Sequence, residues 1–162
     1  MKKNFKRGIF IIIAVIWMGV IFYFSHQNGT ASSNMSGSVT RWVVNLFVPN
    51  FSDLTKSEQA SILKDAGYVI RKLGHYSEYA VLGFFLFTAV YAFTSNEKII
   101  FPIVSIFGIL YAISDEFHQY FISGRAPAVK DVLIDSIGLL TMIFFIGFLL
   151  NLKKGRRKKV EE

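Results

Sequence analysis

Two acids, a histidine and an amide stand within five positions at Asp115, Glu116, His118 and Gln119, straight after a run, 99–114, that carries no charge. On a helix Asp115, His118 and Gln119 fall at i, i+3 and i+4 and share a face, which Tyr111 and Ser114 extend by one turn. Glu116 points roughly 100° away. Ionisable groups at the end of an apolar helix are costly unless they are paired, wet or turned toward protein. Two other segments repeat the pattern. Lys72, His75 and Tyr79 are spaced i, i+3, i+7 with Glu78 beside them, and Asp131, Asp135 and Gly138 are spaced i, i+4, i+7. Arg125, in the turn Gly124-Arg125-Ala-Pro127, and Lys130 add positive charge. The candidate ligand-binding set is therefore Lys72, His75, Glu78, Tyr79, Asp115, Glu116, His118, Gln119, Arg125, Asp131 and Asp135.

Four chemistries fit such a set. Polar side chains can simply glue membrane helices together. His75, Glu78, Asp115 or Glu116, and His118 form a donor set that zinc accepts. No compact motif such as HExxH is present, so neither a metal nor another cofactor is expected. Acid–base catalysis needs a histidine or carboxylate whose pKa is shifted by burial, with His118, Asp115 and His75 as candidates and no nucleophile elbow or phosphatase signature to choose a reaction. Whether the protein is an enzyme stays open. The fourth chemistry is recognition of a charged headgroup. Arg125 and Lys72 suit phosphate or carboxylate, and the acids suit amines or sugar hydroxyls.

The elements that must position these residues are apolar blocks. The 162-residue chain is 52% hydrophobic, with a mean hydropathy of +0.43 and apolar residues in long runs, which indicates one small polytopic membrane domain over 1–162. Its net charge of +7 could indicate nucleic acid. However, ten of the 18 basic residues lie in two terminal clusters, Lys2, Lys3, Lys6, Arg7 and Lys153, Lys154, Arg156, Arg157, Lys158, Lys159, beside apolar spans. That is a topology signal, and no nucleic-acid partner is expected. The absence of cysteine excludes thiol chemistry and a disulfide scaffold.

In chain order, residues 8–24 form the first span. Its uncharged run is long for a signal peptide, and the small residues Gly29-Thr30-Ala31 make a loose cleavage pattern, so the span is expected to be retained. The polar stretch 25–38 is expected to be a loop. Val39, Trp42, Val43, Leu46 and Phe47 then mark a short amphipathic helix that Pro49 ends, lying on the membrane surface or packed on the spans. The capping box Thr55-Lys56-Ser57-Glu58 starts another helix, with Gly67 and Gly74 as breaks before a second span over 74–93. The third and fourth spans are 99–120 and 131–152. The fold expected is all-α: four transmembrane helices with an external amphipathic segment, 25–73. An even span count puts both basic termini in the cytoplasm and the polar layer at the outer interface of a bacterial plasma membrane.

Taken together, Phe22-Tyr-Phe-Ser25, Lys72-x-x-His75-x-x-x-Tyr79-x-x-Leu82, Ser114-Asp-Glu-x-His-Gln119, Gly124-Arg125 and Asp131-x-x-x-Asp135-x-x-Gly138 resemble the VanZ-like family, in order and over almost the whole chain. Two departures stand out: Asp135 occupies a position where the family usually has Asn, and Met142 one where a small residue is common. The resemblance implies a link to low-level teicoplanin resistance, and teicoplanin acts on cell-wall precursors outside the membrane. The expected partners are the lipid bilayer and an envelope lipid or cell-wall precursor headgroup. The runner-up is an enzyme acting on that headgroup, with His118 as base and Asp115 as its orienter, and a structural accessory protein comes third.

Overall fold

The computed structural model describes the backbone of residues 2–161 and the side chains of residues 7–156. Within the terminal basic clusters, the side chains of Lys2, Lys3, Lys6, Arg157, Lys158 and Lys159 lie outside the described residues. The described residues form α1 (Lys2–Ser25), α2 (Gly29–Phe47), a 3-10 turn (Phe51–Asp53), α3 (Lys56–Tyr91), α4 (Glu97–Gln119) and α5 (Val129–Glu161), with no strand. Three stretches are long and apolar enough to cross a membrane: Arg7–Ser25, Glu97–Gln119 and Val129–Arg156. Rows of exposed apolar side chains run along them, including Ile12, Val15 and Ile16 on α1, Ile106 and Leu110 on α4, and Phe144 and Phe148 on α5. Such surfaces suit hydrocarbon and not water.

The expected span 74–93 falls in the C-terminal half of α3 and is not among these three. Gly74, His75, Ser77 and Glu78 dilute its hydropathy. This half of α3 is instead the centre of the bundle, in contact with α1, α4 and α5, and it buries Tyr79, Leu82, Gly83, Leu86, Phe87 and Ala89. The core around it is completed by Ala14 and Ile21 of α1, Ile100, Val104 and Ala112 of α4, and Leu139 and Ile143 of α5. Cross-helix bonds set the register. Trp17 Nε1 donates to Glu78 O (2.9 Å), Tyr111 Oη to Met18 O (2.7 Å) and Arg7 Nε to Ala92 O (2.9 Å). The bonds from Arg7 and Trp17 run α1 against α3, the Tyr79–Tyr111 and Phe87–Phe101 ring contacts run α4 against α3, and the Lys72–Asp131 and His75–Asp135 approaches make α3 and α5 parallel. Glycines let the backbones approach: a Cβ on Gly138 would overlap Tyr76 O, and one on Gly83 would stand 2.8 Å from Leu139 O.

Two local expectations are corrected. Residues 29–38 are not a loop but the first half of α2. Asn28 Oδ1 caps the helix by accepting from Ala31 N (2.8 Å), and the Ser33, Ser36 and Thr40 hydroxyls donate to carbonyls one turn back. Composition alone therefore misled: serines that favour loops are satisfied here inside a helix, and small residues let α2 lie against α3, where Thr40 faces Gly67. Likewise, α3 is unbroken through Gly67 and Gly74. It does start at the expected capping box, in which Thr55 Oγ1 accepts from Glu58 N while the Glu58 carboxylate accepts from Thr55 N. The Thr55 hydroxyl and backbone together hold the Glu58 pKa below the ordinary carboxylate value. At 36 residues α3 is about 54 Å long at 1.5 Å per residue, so its N-terminal half projects past the bundle and carries α2 as an antiparallel hairpin.

Candidate functional site

All three helix segments singled out in the sequence meet at one end of the bundle, below the α2–α3 hairpin. The α3 face that reads Lys72, His75, Tyr79, Leu82 turns toward α5. Lys72 Nζ pairs with Asp131 Oδ1, and one turn on His75 Nδ1 stands 3.6 Å from Asp135 Oδ1. Tyr79, fully buried, follows, and its hydroxyl has no partner. Parallel helices explain this ladder, because i, i+3 on α3 matches i, i+4 on α5.

The α4 cluster divides. Asp115, 3% exposed, accepts from Gln119 Nε2 through Oδ2 (3.3 Å), while its Oδ1 has no partner. Ser25, the last residue of α1, turns its hydroxyl toward Asp115 without a well-formed hydrogen bond. Glu116, on the neighbouring face, is buried, and its Oε1 accepts from Ala128 N (2.6 Å) at the entrance to α5. Ser114 is exposed and donates to Tyr111 O. His118 leaves the group: its Nε2 lies 3.2 Å from His26 Nδ1, and its ring packs 4.6 Å from that of Phe22. The expected arrangement, with Asp115 orienting His118 as a base, is therefore corrected: no hydrogen bond joins them, and each has another partner. The residue after α1 supplies that of His118, and no spacing rule links residues 92 positions apart.

Arg125 is fastened to the fold: from its turn Nε donates to Gln27 O (3.0 Å) and Nη2 to Phe24 O (3.0 Å). It thereby caps carbonyls at the C-terminal end of α1, where a cation is favoured. Burial and then repulsion from Arg71 lower its pKa from the ordinary arginine value, against the pull of Asp115, Glu116 and Glu78. The turn itself needs its glycine, since Gly124 has φ +73° and packs so tightly on Gly29 that a Cβ on Gly29 would overlap it.

Between α1, α2, α3 and α4 lies a cavity of about 430 Å³. His75, Glu78, Asp115 and Arg125 line it, as expected site residues do, and so do Ser25 and Arg71, which the sequence set omitted. Arg71 was legible in principle, since Arg71, His75 and Glu78 repeat at i, i+4, i+7. Its Nη2 donates to Ser33 Oγ (3.0 Å) on α2, and its buried Nε has no partner. Ser32, Met35, Ser36 and Val39 of α2 form the roof, which the loop assignment of 25–38 concealed. Lys72, Tyr79, Gln119, Asp131 and Asp135 do not line it, and Glu116 lines a separate, shallower cavity beside Phe117 and Val129. Among the described residues no group of three or more His, Cys, Asp or Glu side chains is arranged to hold a metal ion.

No curated protein and no solved structure matches the chain. A family model described as VanZ/LLP1 does, over residues 10–150, a stretch that takes in most of α1, all of α2 to α4, most of α5 and every residue of the cavity. The Lys72–His75–Tyr79 face, the Asp115–Gln119 pair and the Asp131–Asp135–Gly138 face, now seen packed together, lie within that match, and the chain belongs to the VanZ/LLP1 family.

Proposed function

We propose that the protein is a four-span membrane protein, of the kind linked to low-level teicoplanin resistance, that recognises an envelope lipid or cell-wall precursor headgroup outside a bacterial plasma membrane. The C-terminal half of α3 is the fourth span. Packed among the three apolar helices, it exposes apolar Phe84 and Tyr91 and can carry polar residues on the faces its neighbours cover. With both basic termini cytoplasmic, the cavity opens on the outer side. The observation that carries the reading is the make-up of that cavity: guanidinium and carboxylate groups at Arg71, Arg125, Glu78 and Asp115, beside apolar Phe24, Met35, Val39 and Leu73. A charged interior next to an apolar wall matches an amphiphile and is unlike a purely structural ion network, in which every polar group would be paired internally. An enzyme acting on the same headgroup draws less support, because Asp115 engages Gln119 and His118 engages His26.

Arg71 gives the cleaner test, since Arg125 also fastens α1. In a glycopeptide-susceptible host, Arg71→Gln should abolish whatever teicoplanin tolerance the wild type confers. It should leave thermal stability almost unchanged, because one exposed hydrogen bond to Ser33 of about 1 kcal/mol is lost. Full tolerance in Arg71→Gln would refute the headgroup reading.

A further inference from the structure

Resting on that headgroup reading, we infer a ligand class: a lipid whose headgroup joins a phosphate to a primary ammonium. Asp115 and Glu78 take the ammonium, Arg71 takes the phosphate, and Phe24, Val39 and Leu73 border the chains.

Charge at the cavity floor points to the ammonium. Asp115 is almost fully buried and lines the cavity with Oδ1 unpartnered, and its polar neighbours, the Gln119 amide and the Ser25 hydroxyl, are neutral. Glu78 lines the same cavity. Among the described residues neither acid forms a direct ion pair: Arg125 shares the cavity and its charge reaches both, but its guanidinium donors are spent on backbone carbonyls. Lys72 holds Asp131, Arg125 donates to the Phe24 and Gln27 carbonyls, and His75 has Asp135 as its nearest acid. Carboxylates away from bulk water with no cation in direct contact are costly. A primary ammonium brings one positive charge and three donors to that place. A quaternary ammonium has no donor and is recognised by a cage of aromatic faces, whereas Phe24 is the one aromatic residue lining this cavity. A bare metal ion would need a third ligand that the described residues do not supply.

The anionic half follows from Arg71, which lines the cavity, keeps a buried Nε without a partner and has Nη2 anchored to α2. Guanidinium donors of this kind suit phosphate. Met35, Val39 and Leu73 are each at least half exposed beside the cavity. An apolar border open at the surface admits acyl or prenyl chains, and a free zwitterion in water would gain nothing from it.

The full-length protein in detergent can be titrated, by native mass spectrometry, with phosphatidylethanolamine, its N-acetyl derivative, phosphatidylcholine and phosphatidylglycerol of equal chain length. A charge-assisted hydrogen-bonded contact predicts that phosphatidylethanolamine binds about tenfold or more tightly than the other three. Asp115→Asn should bring it down to the level of phosphatidylglycerol, and Glu78→Gln should do the same if the buried Asp115 variant fails to fold. Arg71→Gln should weaken all four. Equal binding of the four lipids, still weakened by Arg71→Gln, overturns the ammonium inference and leaves the headgroup reading standing. Binding that is indifferent to Arg71→Gln overturns both.

Discussion

Lys72 and Asp131 join α3 to α5 through one ion pair whose side chains are only 19% and 13% exposed. A pair so placed contributes little beyond an apolar replacement, but removing one partner strands the other. Lys72→Met should therefore lower stability by about 3 kcal/mol, the lower end of the range for broken buried pairs. The double variant Lys72→Met/Asp131→Leu should recover most of that loss. Chemical or thermal melting of the four corners of this double-mutant cycle checks it, and additive losses would show that the pair is not coupled. Residue identity carried much of this. The i, i+3 and i, i+4 spacings announced which side chains share a face, but the partner of each face was not legible, because a spacing rule describes one helix and pairing depends on two. Arg125 and His118 show the limit most clearly. Their partners, Phe24, Gln27 and His26, sit about 100 positions away at the end of α1.

At the scale of elements, helices α3 and α5 approach through Gly83 and Gly138, and α2 approaches α3 at Gly67. These glycines are expected to respond oppositely to alanine. A Cβ on Gly138 meets the Tyr76 backbone, so Gly138→Ala should push the helices apart and cost about 1–3 kcal/mol. A Cβ on Gly67 would stand 3.7 Å from Thr40 Oγ1, an ordinary contact. Gly67→Ala should then be neutral or stabilise by up to about 1 kcal/mol through helix propensity. Melting midpoints of the purified variants in detergent decide both, and stabilisation by Gly138→Ala would contradict the close packing. The capping box at Thr55 was legible because it is a local motif that needs no tertiary partner. Helix α2 over 29–38 was not, since its serines are neutral on their own and become helical only against the α3 surface that receives them.

For the whole molecule, the expected outcome is that Ser123 and Ser95 lie on opposite sides of the membrane. They occupy exposed turns at opposite ends of the bundle, after α4 and before it. The chain lacks cysteine, so Ser123→Cys and Ser95→Cys each introduce a single thiol. An impermeant maleimide applied to intact cells should label the first and not the second, with Ser95→Cys becoming reactive only after lysis. The reverse pattern would move the cavity to the cytoplasmic side, and labelling of both from outside would show that α4 does not cross.

The amino-acid sequence by itself determined that the chain is all-α and built of apolar spans. It also located three polar helix faces and carried the motifs of the family, because period, hydropathy and motif spacing are properties of single segments. Only the tertiary structure decided that α3 is the central helix, since burial by neighbours, not its own hydropathy, is what lets it carry polar groups. The tertiary structure also decided which charges stay unpaired. Lys72 could have met any of several acids, and its choice of Asp131, with the Arg125 donors drawn to the end of α1, is what leaves Asp115 lining the cavity without a direct ion-pair partner. Those assignments follow from distance and direction between helices, which no one-dimensional pattern contains.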